Sequence, residues 1–255
     1  MVLDPTKWRL LLKVLPLLLA FTLVKAILHV LGWEPWTFDL LKAALLAAVT
    51  FVTAFLLSGV LGDYNTSRLM PIQIVNSVRA IQDCVMLGCA SQPEYNPQPL
   101  LAQLACVVDA ILDWLQADKP FDAIETQLIQ LTPLFAALQT QVSMPIVTRL
   151  QIEQGQIRVA VSHIQQIRDV DFLKPANALL ECFWIGAIAT LLLVHTNTFG
   201  EALVIPGLLF LVFTYLLLLI LDLENPFQYD GQSSVAIDLA FLEQCRTRLQ
   251  TALNA

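Results

Sequence analysis

Two apolar runs stand back to back near the N-terminus: Trp8–Leu31, WRLLLKVLPLLLAFTLVKAILHVL, and Thr37–Leu61, TFDLLKAALLAAVTFVTAFLLSGVL. A second pair comes much later: Ala176–Val194, ANALLECFWIGAIATLLLV, and Ala202–Leu221, ALVIPGLLFLVFTYLLLLIL. A helix needs about 20 mainly apolar residues to cross a bilayer core of about 30 Å. All four runs reach that length. The stretch between the pairs alternates apolar and polar residues and is not membrane-like. The pattern predicts an all-α membrane protein with four transmembrane helices, two and two, around an intervening helical bundle. The expected divisions are a first transmembrane hairpin over 1–61, a cytoplasmic helical domain over 62–174, a second hairpin over 175–222, and a tail with one helix over 223–255.

Composition agrees with that frame. Hydrophobic residues make up 57% of the 255, and charged residues only 14%, against about 25% in soluble domains. The net charge of −7 argues against a nucleic-acid partner, which demands a basic footprint. The first run is too long for a signal-peptide core and has no small-residue cleavage site, so it reads as a retained anchor. The five cysteines, Cys84, Cys89, Cys106, Cys182 and Cys245, include no CxxC and no Cys/His pair at metal spacing. No metal site and no cofactor are expected from them, and they read as buried free thiols of a reducing compartment.

Basic residues beside spans mark the cytoplasmic side. Lys7, Arg9 and Lys13 flank the first span. The short connections Gly32–Trp36 and Thr196–Glu201 hold Glu34 and Glu201 but no Lys or Arg. This predicts both termini and the middle segment on the cytoplasmic face, or its equivalent in a thylakoid-type membrane, with Trp33 and Trp36 in an interfacial aromatic belt.

The middle segment reads as helices. Leu69, Ile72, Val75, Ile81 and Val85 recur at helical spacing. So do Leu101, Leu104, Val108, Ile111 and Leu115, and again Ile124, Leu128, Leu131, Phe135 and Leu138. Ile146–Ile167 is amphipathic apart from Gly155. A 3.6-residue period with polar residues between means one face buried on other helices. Prolines at Gln92-Pro93, Lys119-Pro120 and Met144-Pro145 mark the breaks. The individual helices are either separate or continuations of the spans. One more helix is expected over Ile237–Leu253, with Asp238 near its start and Arg246 and Arg248 nearer its end, as the helix dipole favours.

Polar residues inside the spans carry the functional signal, because intramembrane charge is costly and tends to be functional. Lys25 and His29 stand one turn apart in the outer half of the first span. Lys42 lies just inside the outer end of the second. They make either a basic outer vestibule that concentrates anions, or side chains that snorkel or pair with Asp39 and Glu34. Glu181 in the third span pairs with a basic residue or faces water. The second span is rich in small residues, Ala43, Ala44, Ala47, Ala48, Ala54, Ser58 and Gly59, which permit close helix approach. Phe51 and Phe55 follow Ala47 at one-turn intervals. In a symmetric oligomer that stripe forms a hydrophobic pore neck that gates by dewetting; otherwise it is packing within one protomer. His29 and His195 lie in outer halves with no third ligand apparent, and no nucleophile–base pair is assembled, so no enzyme is expected.

Two motifs carry a resemblance. Leu221-Asp222-Leu223-Glu224-Asn225-Pro226-Phe227-Gln228-Tyr229-Asp230 resembles the acidic-Asn/Asp-Pro-Phe-Gly segment after the last span of bestrophins. Ile237-Asp238-Leu239 and Cys245 resemble that family's next pattern. Gly62-Asp63-Tyr64-Asn65-Thr66-Ser67-Arg68-Leu69-Met70-Pro71 and Ile74-Val75-Asn76-Ser77-Val78-Arg79 resemble segments of bestrophins and their poorly described relatives. Gln228 departs from the usual Gly. The acidic cluster of a calcium clasp is reduced to Asp230 and Asp238, fewer than the several carboxylates calcium commonly takes. The Arg- and Trp-rich segment at the end of the second span is absent too, which implies a divergent branch. The resemblance implies a homo-oligomer, a pentamer, in a lipid bilayer. It implies passive transport of small anions, chloride or bicarbonate, past a neck of Ala47, Phe51 and Phe55. Lys25, His29 and Lys42 would line the outer vestibule, and Asn225, Pro226 and Phe227 would make the inner turn. The rival is a non-conducting scaffold whose helical bundle docks a partner.

Overall fold

The structure, a computed structural model, describes residues 5–91, 95–139, 142–169, 174–229 and 233–254. Asp230 and the Gln92-Pro93 break lie outside them. Eight helices are described: α1 (Pro5–Val30), α2 (Leu40–Ser91), α3 (Gln98–Ala117), α4 (Asp122–Gln139), α5 (Met144–Asp169), α6 (Lys174–Leu193), α7 (Phe199–Glu224) and α8 (Ala240–Asn254). The extended pairing among the described residues is a lone bridge between Trp36 and Val194. Among the described residues, five helices are long and apolar enough to cross a membrane: α1, α2, α3, α6 and α7. Four of them carry the runs quoted above. The fifth, α3, is amphipathic, and Leu104, Val107, Val108 and Ile111 are fully buried on it.

The chain forms two compact units, divided first at Tyr64/Asn65. One holds α1, the first part of α2, α6 and α7. Its core gathers Phe21, Val49, Ala187, Leu191, Phe210 and Phe213, with a second cluster of Val60, Leu180, Leu217, Ile220 and Leu223. The other holds the rest of α2, α3, α4, α5 and α8. There α3 packs on α4 and α8, and α4 packs on α5.

Helix α2 runs unbroken for 52 residues, about 78 Å at 1.5 Å per residue. It passes the end of the second apolar run, Gly62, and also Pro71. An interior glycine costs about 1 kcal/mol, and a proline removes one rung of the ladder. Here Met70, Pro71, Ile74, Val75 and Val78 are all buried, and that packing outweighs both breakers. The tail helix begins at Ala240, three residues later than the sequence pattern suggests. The Asp238 carboxylate accepts the Ala240 N–H at 2.9 Å, and the first helical carbonyl is that of Leu239, which accepts from Leu242 and Glu243.

Helix α1 lies against α7 closely. The Phe21 and Phe210 rings stack with centroids 4.3 Å apart. Gly207 makes room one turn earlier: a Cβ there would sit 3.4 Å from Thr22 Cγ2 and 3.9 Å from Leu18 Cδ1. Small residues let helices approach without a large apolar driving force between them in lipid. Gly207→Ala is expected to be tolerated. Gly207→Leu is expected to lose about 1–3 kcal/mol by overpacking, read as a drop in melting temperature of the purified protein.

Candidate functional site

Helix α1 ends in a Schellman motif. The Trp33 N–H donates to Leu28 O at 2.9 Å and the Gly32 N–H to His29 O at 3.1 Å. Gly32 takes φ +65°, the left-handed conformation that glycine adopts at no steric cost. The turn sends the chain back on itself, so Glu34, two residues after Gly32, faces the helix just left.

Glu34 is the centre of a polar cluster. Its side chain is fully buried. Lys25 Nζ lies 2.7 Å from Oε1 and is itself fully buried. Nδ1 of His29 and Nδ1 of His195 both approach the other oxygen, Oε2, at 3.0 and 3.1 Å. His29 belongs to α1, and His195 to the loop between α6 and α7.

Lys25 does more than neutralise Glu34. It also donates to Leu192 O at 3.0 Å and Val194 O at 2.6 Å. Between them, Leu193 O accepts from the Trp36 N–H at 3.2 Å, and Trp36 O accepts from the His195 N–H at 2.7 Å. The last carbonyls of a helix have no partner within it, and its negative dipole end favours a cation. No basic residue stands in the last turn of α6. The first hairpin supplies the cation and the donors instead, so three consecutive carbonyls are satisfied from across the structure.

Burial by itself would raise the pKa of Glu34. Hydrogen bonds from Lys25 and His29, and then the positive charge of Lys25, outweigh that and hold the carboxyl below its ordinary value of 4.5. Lys25 therefore faces a carboxylate and carbonyls, with no solvent exposure. His29 is largely covered, and its ring lies 5.8 Å from that of Phe199. Lys42 pairs with Asp39 at 2.6 Å and lies 5.9 Å from the Trp36 ring centroid. Glu181 is exposed.

The three α2 residues read as a neck share one exposed face. Phe51 and Phe55 are 72% and 70% exposed, and Ala47 is exposed too. Val49, Thr53 and Val60 on the opposite side are buried. At the end of α7, Asn225 is the C-cap. Asp222 accepts the Ser234 N–H at 2.9 Å, and Asn177 donates to Glu224 at 2.7 Å. Pro226 is buried and Phe227 fully so. Tyr229 donates to Ile237 O at 2.8 Å. Each of these groups ties the turn down locally. Among the described residues no group of three or more His, Cys, Asp or Glu is arranged to hold a metal.

Lys25→Met and Glu34→Gln each strand one member of a buried pair, so each is expected to lose about 3–5 kcal/mol, measured by thermal or denaturant unfolding. The depressed pKa sets a pH limit as well. Glu34 contributes stability that is fully present above about 4.5 and is lost as pH falls through its lower folded value. A melting-temperature scan should show a steep acid decline in the native chain and a shallower one in Glu34→Gln.

No protein-family model matches the sequence, and no curated protein matches it by sequence. Solved structures do match. A crystal structure of a bacterial bestrophin homologue from Klebsiella pneumoniae, carrying a single substitution, aligns over 97% of this chain and 98% of its own at TM-score 0.75 and 13% identity. A second substituted form of that homologue aligns over 99% and 100% at TM-score 0.76 and 12% identity. A crystal structure described as a membrane protein aligns over 94% and 98% at TM-score 0.77 and 12% identity. With nearly every residue aligned in both directions, the chain has the bestrophin fold.

Proposed function

We propose that the chain is a bestrophin-like channel that passes small anions, chloride or bicarbonate, through a pore made by several copies of itself. One observation carries the reading: α2 turns Ala47, Phe51 and Phe55 outward while its other face is buried. Two phenylalanines this exposed on a helix rich in small residues call for another surface. Copies of the same helix around an axis would supply it, and the rings would form a constriction that gates by dewetting. The sequence resemblance to bestrophins supports a pentamer. Asn225, Pro226 and Phe227 would serve as the turn that fixes the inner end of α7. Basic residues near the first span support both termini on the cytoplasmic side.

A second reading, a non-conducting scaffold, draws on the ion pairs. Lys25 and Lys42 each carry an acid partner, which reduces the positive field expected of an outer vestibule.

Imaging of the purified complex and anion flux in liposomes separate the two. A ring with α2 at its axis, measurable flux, and higher flux in Phe51→Ala/Phe55→Ala are the expected results. A ring-forming preparation in which native and double-variant proteins are both silent would leave the scaffold.

A further inference from the structure

Two imidazoles share a single carboxylate oxygen at the junction of the two hairpin connections. We propose that His29 and His195, converging on Glu34 beside Lys25, form a proton-operated latch between the α1–α2 loop and the α6–α7 loop.

The argument starts from charge balance. Glu34 carries one negative charge, and the buried Lys25, 2.7 Å away, matches it. Each uncharged imidazole can still donate its Nδ1–H to Oε2, and the cluster is then neutral. A proton taken up by either ring gives the Lys25–Glu34–His29–His195 cluster a net positive charge. Asp39 is paired with Lys42 at 2.6 Å, and Glu201, exposed in the first turn of α7, offers its backbone N–H to the Thr198 hydroxyl. The ring facing His29 from α7 is the uncharged Phe199.

With both imidazoles charged, three cations surround one carboxylate, and the two rings lie with centroids 6.5 Å apart. The cluster then separates at its most open member. The His195 side chain is 55% exposed, against 17% for His29 and none for Lys25 and Glu34. His195 also carries the backbone bond to Trp36 O. Its withdrawal therefore breaks the pairing of the two loops and loosens the cap on α6. The helices themselves need not move. Histidine charge changes between about pH 5 and 8, while Glu34 stays ionised there because its carboxyl lies below 4.5.

The inference does not depend on whether the protein conducts, and its test reads the loops directly. Backbone hydrogen exchange of the full-length protein in lipid nanodiscs is followed at residues 31–40 and 194–200. Rates are corrected for intrinsic pH dependence. Moving from about pH 7.5 to about pH 5.5, across the range in which histidine charge changes, should speed exchange in both loops severalfold. His29→Asn/His195→Asn keeps short N–H donors that do not titrate, and should abolish the step. His195→Asn alone, at the exposed position, should reduce it. Unchanged protection in the native protein across this range would overturn the latch, even if the double variant did not fold. So would a pH step that survives in either variant undiminished.

Discussion

Lys25 answers three groups at once: it pairs ionically with a buried carboxylate and donates to two carbonyls at the end of another helix. A buried ammonium is unfavourable unless every proton finds a partner. That demand links residues far apart in sequence. Glu34 must lie back on α1, which requires the glycine turn at Gly32. The carboxy end of α6 must sit within reach of α1, which places α6 and α7 in one unit with the first hairpin. The Phe21–Phe210 stack and the space at Gly207 hold α1 on α7, and the polar cluster adds direction to that apolar contact. In lipid, where apolar surfaces distinguish poorly between neighbours, such polar contacts specify a unique register.

This cluster and the separate Lys42–Asp39 pair both neutralise charge. Residues that looked like anion attractors in isolation are turned inward or paired. Lys25 has no solvent exposure, and Lys42 lies on Asp39. The exposed α2 face is different in kind. It carries the exposed Ala47, Phe51 and Phe55 beside the exposed hydroxyl residues Thr50 and Ser58, with no fixed charge among these five. The turn at Asn225-Pro226-Phe227 ends α7, with Asn225 as its C-cap. Proline stops the ladder, and the buried phenylalanine fixes where the chain goes next.

Some features escaped a reading of the chain alone for physical reasons. The sequence pattern runs helically across Pro71 from Leu69 to Val85 but leaves open whether that helix continues the second span; the burial of Ile74, Val75 and Val78, which is tertiary, decides for one unbroken α2. The start of α8 at Ala240 was misplaced by three residues, since the Asp238 carboxylate takes the Ala240 N–H in a local turn. His29 and His195 were visible as two polar residues in outer halves with no third group. Glu34 was visible too, as the acid of a short connection. Nothing in spacing alone says that 34 and 195 meet.

What the sequence determined by itself is what depends on composition and period. Four membrane-length apolar runs, a 3.6-residue pattern between them and prolines at the breaks suffice for an all-α fold of two hairpins and a helical middle. Short motifs around Asn225-Pro226-Phe227 suffice for its resemblance. Only the tertiary structure decided which face of α2 is left uncovered, and that the first hairpin caps α6 through Lys25 and Trp36. Burial and hydrogen bonding between distant residues depend on where the backbone brings them together, and a local pattern carries no record of that distance.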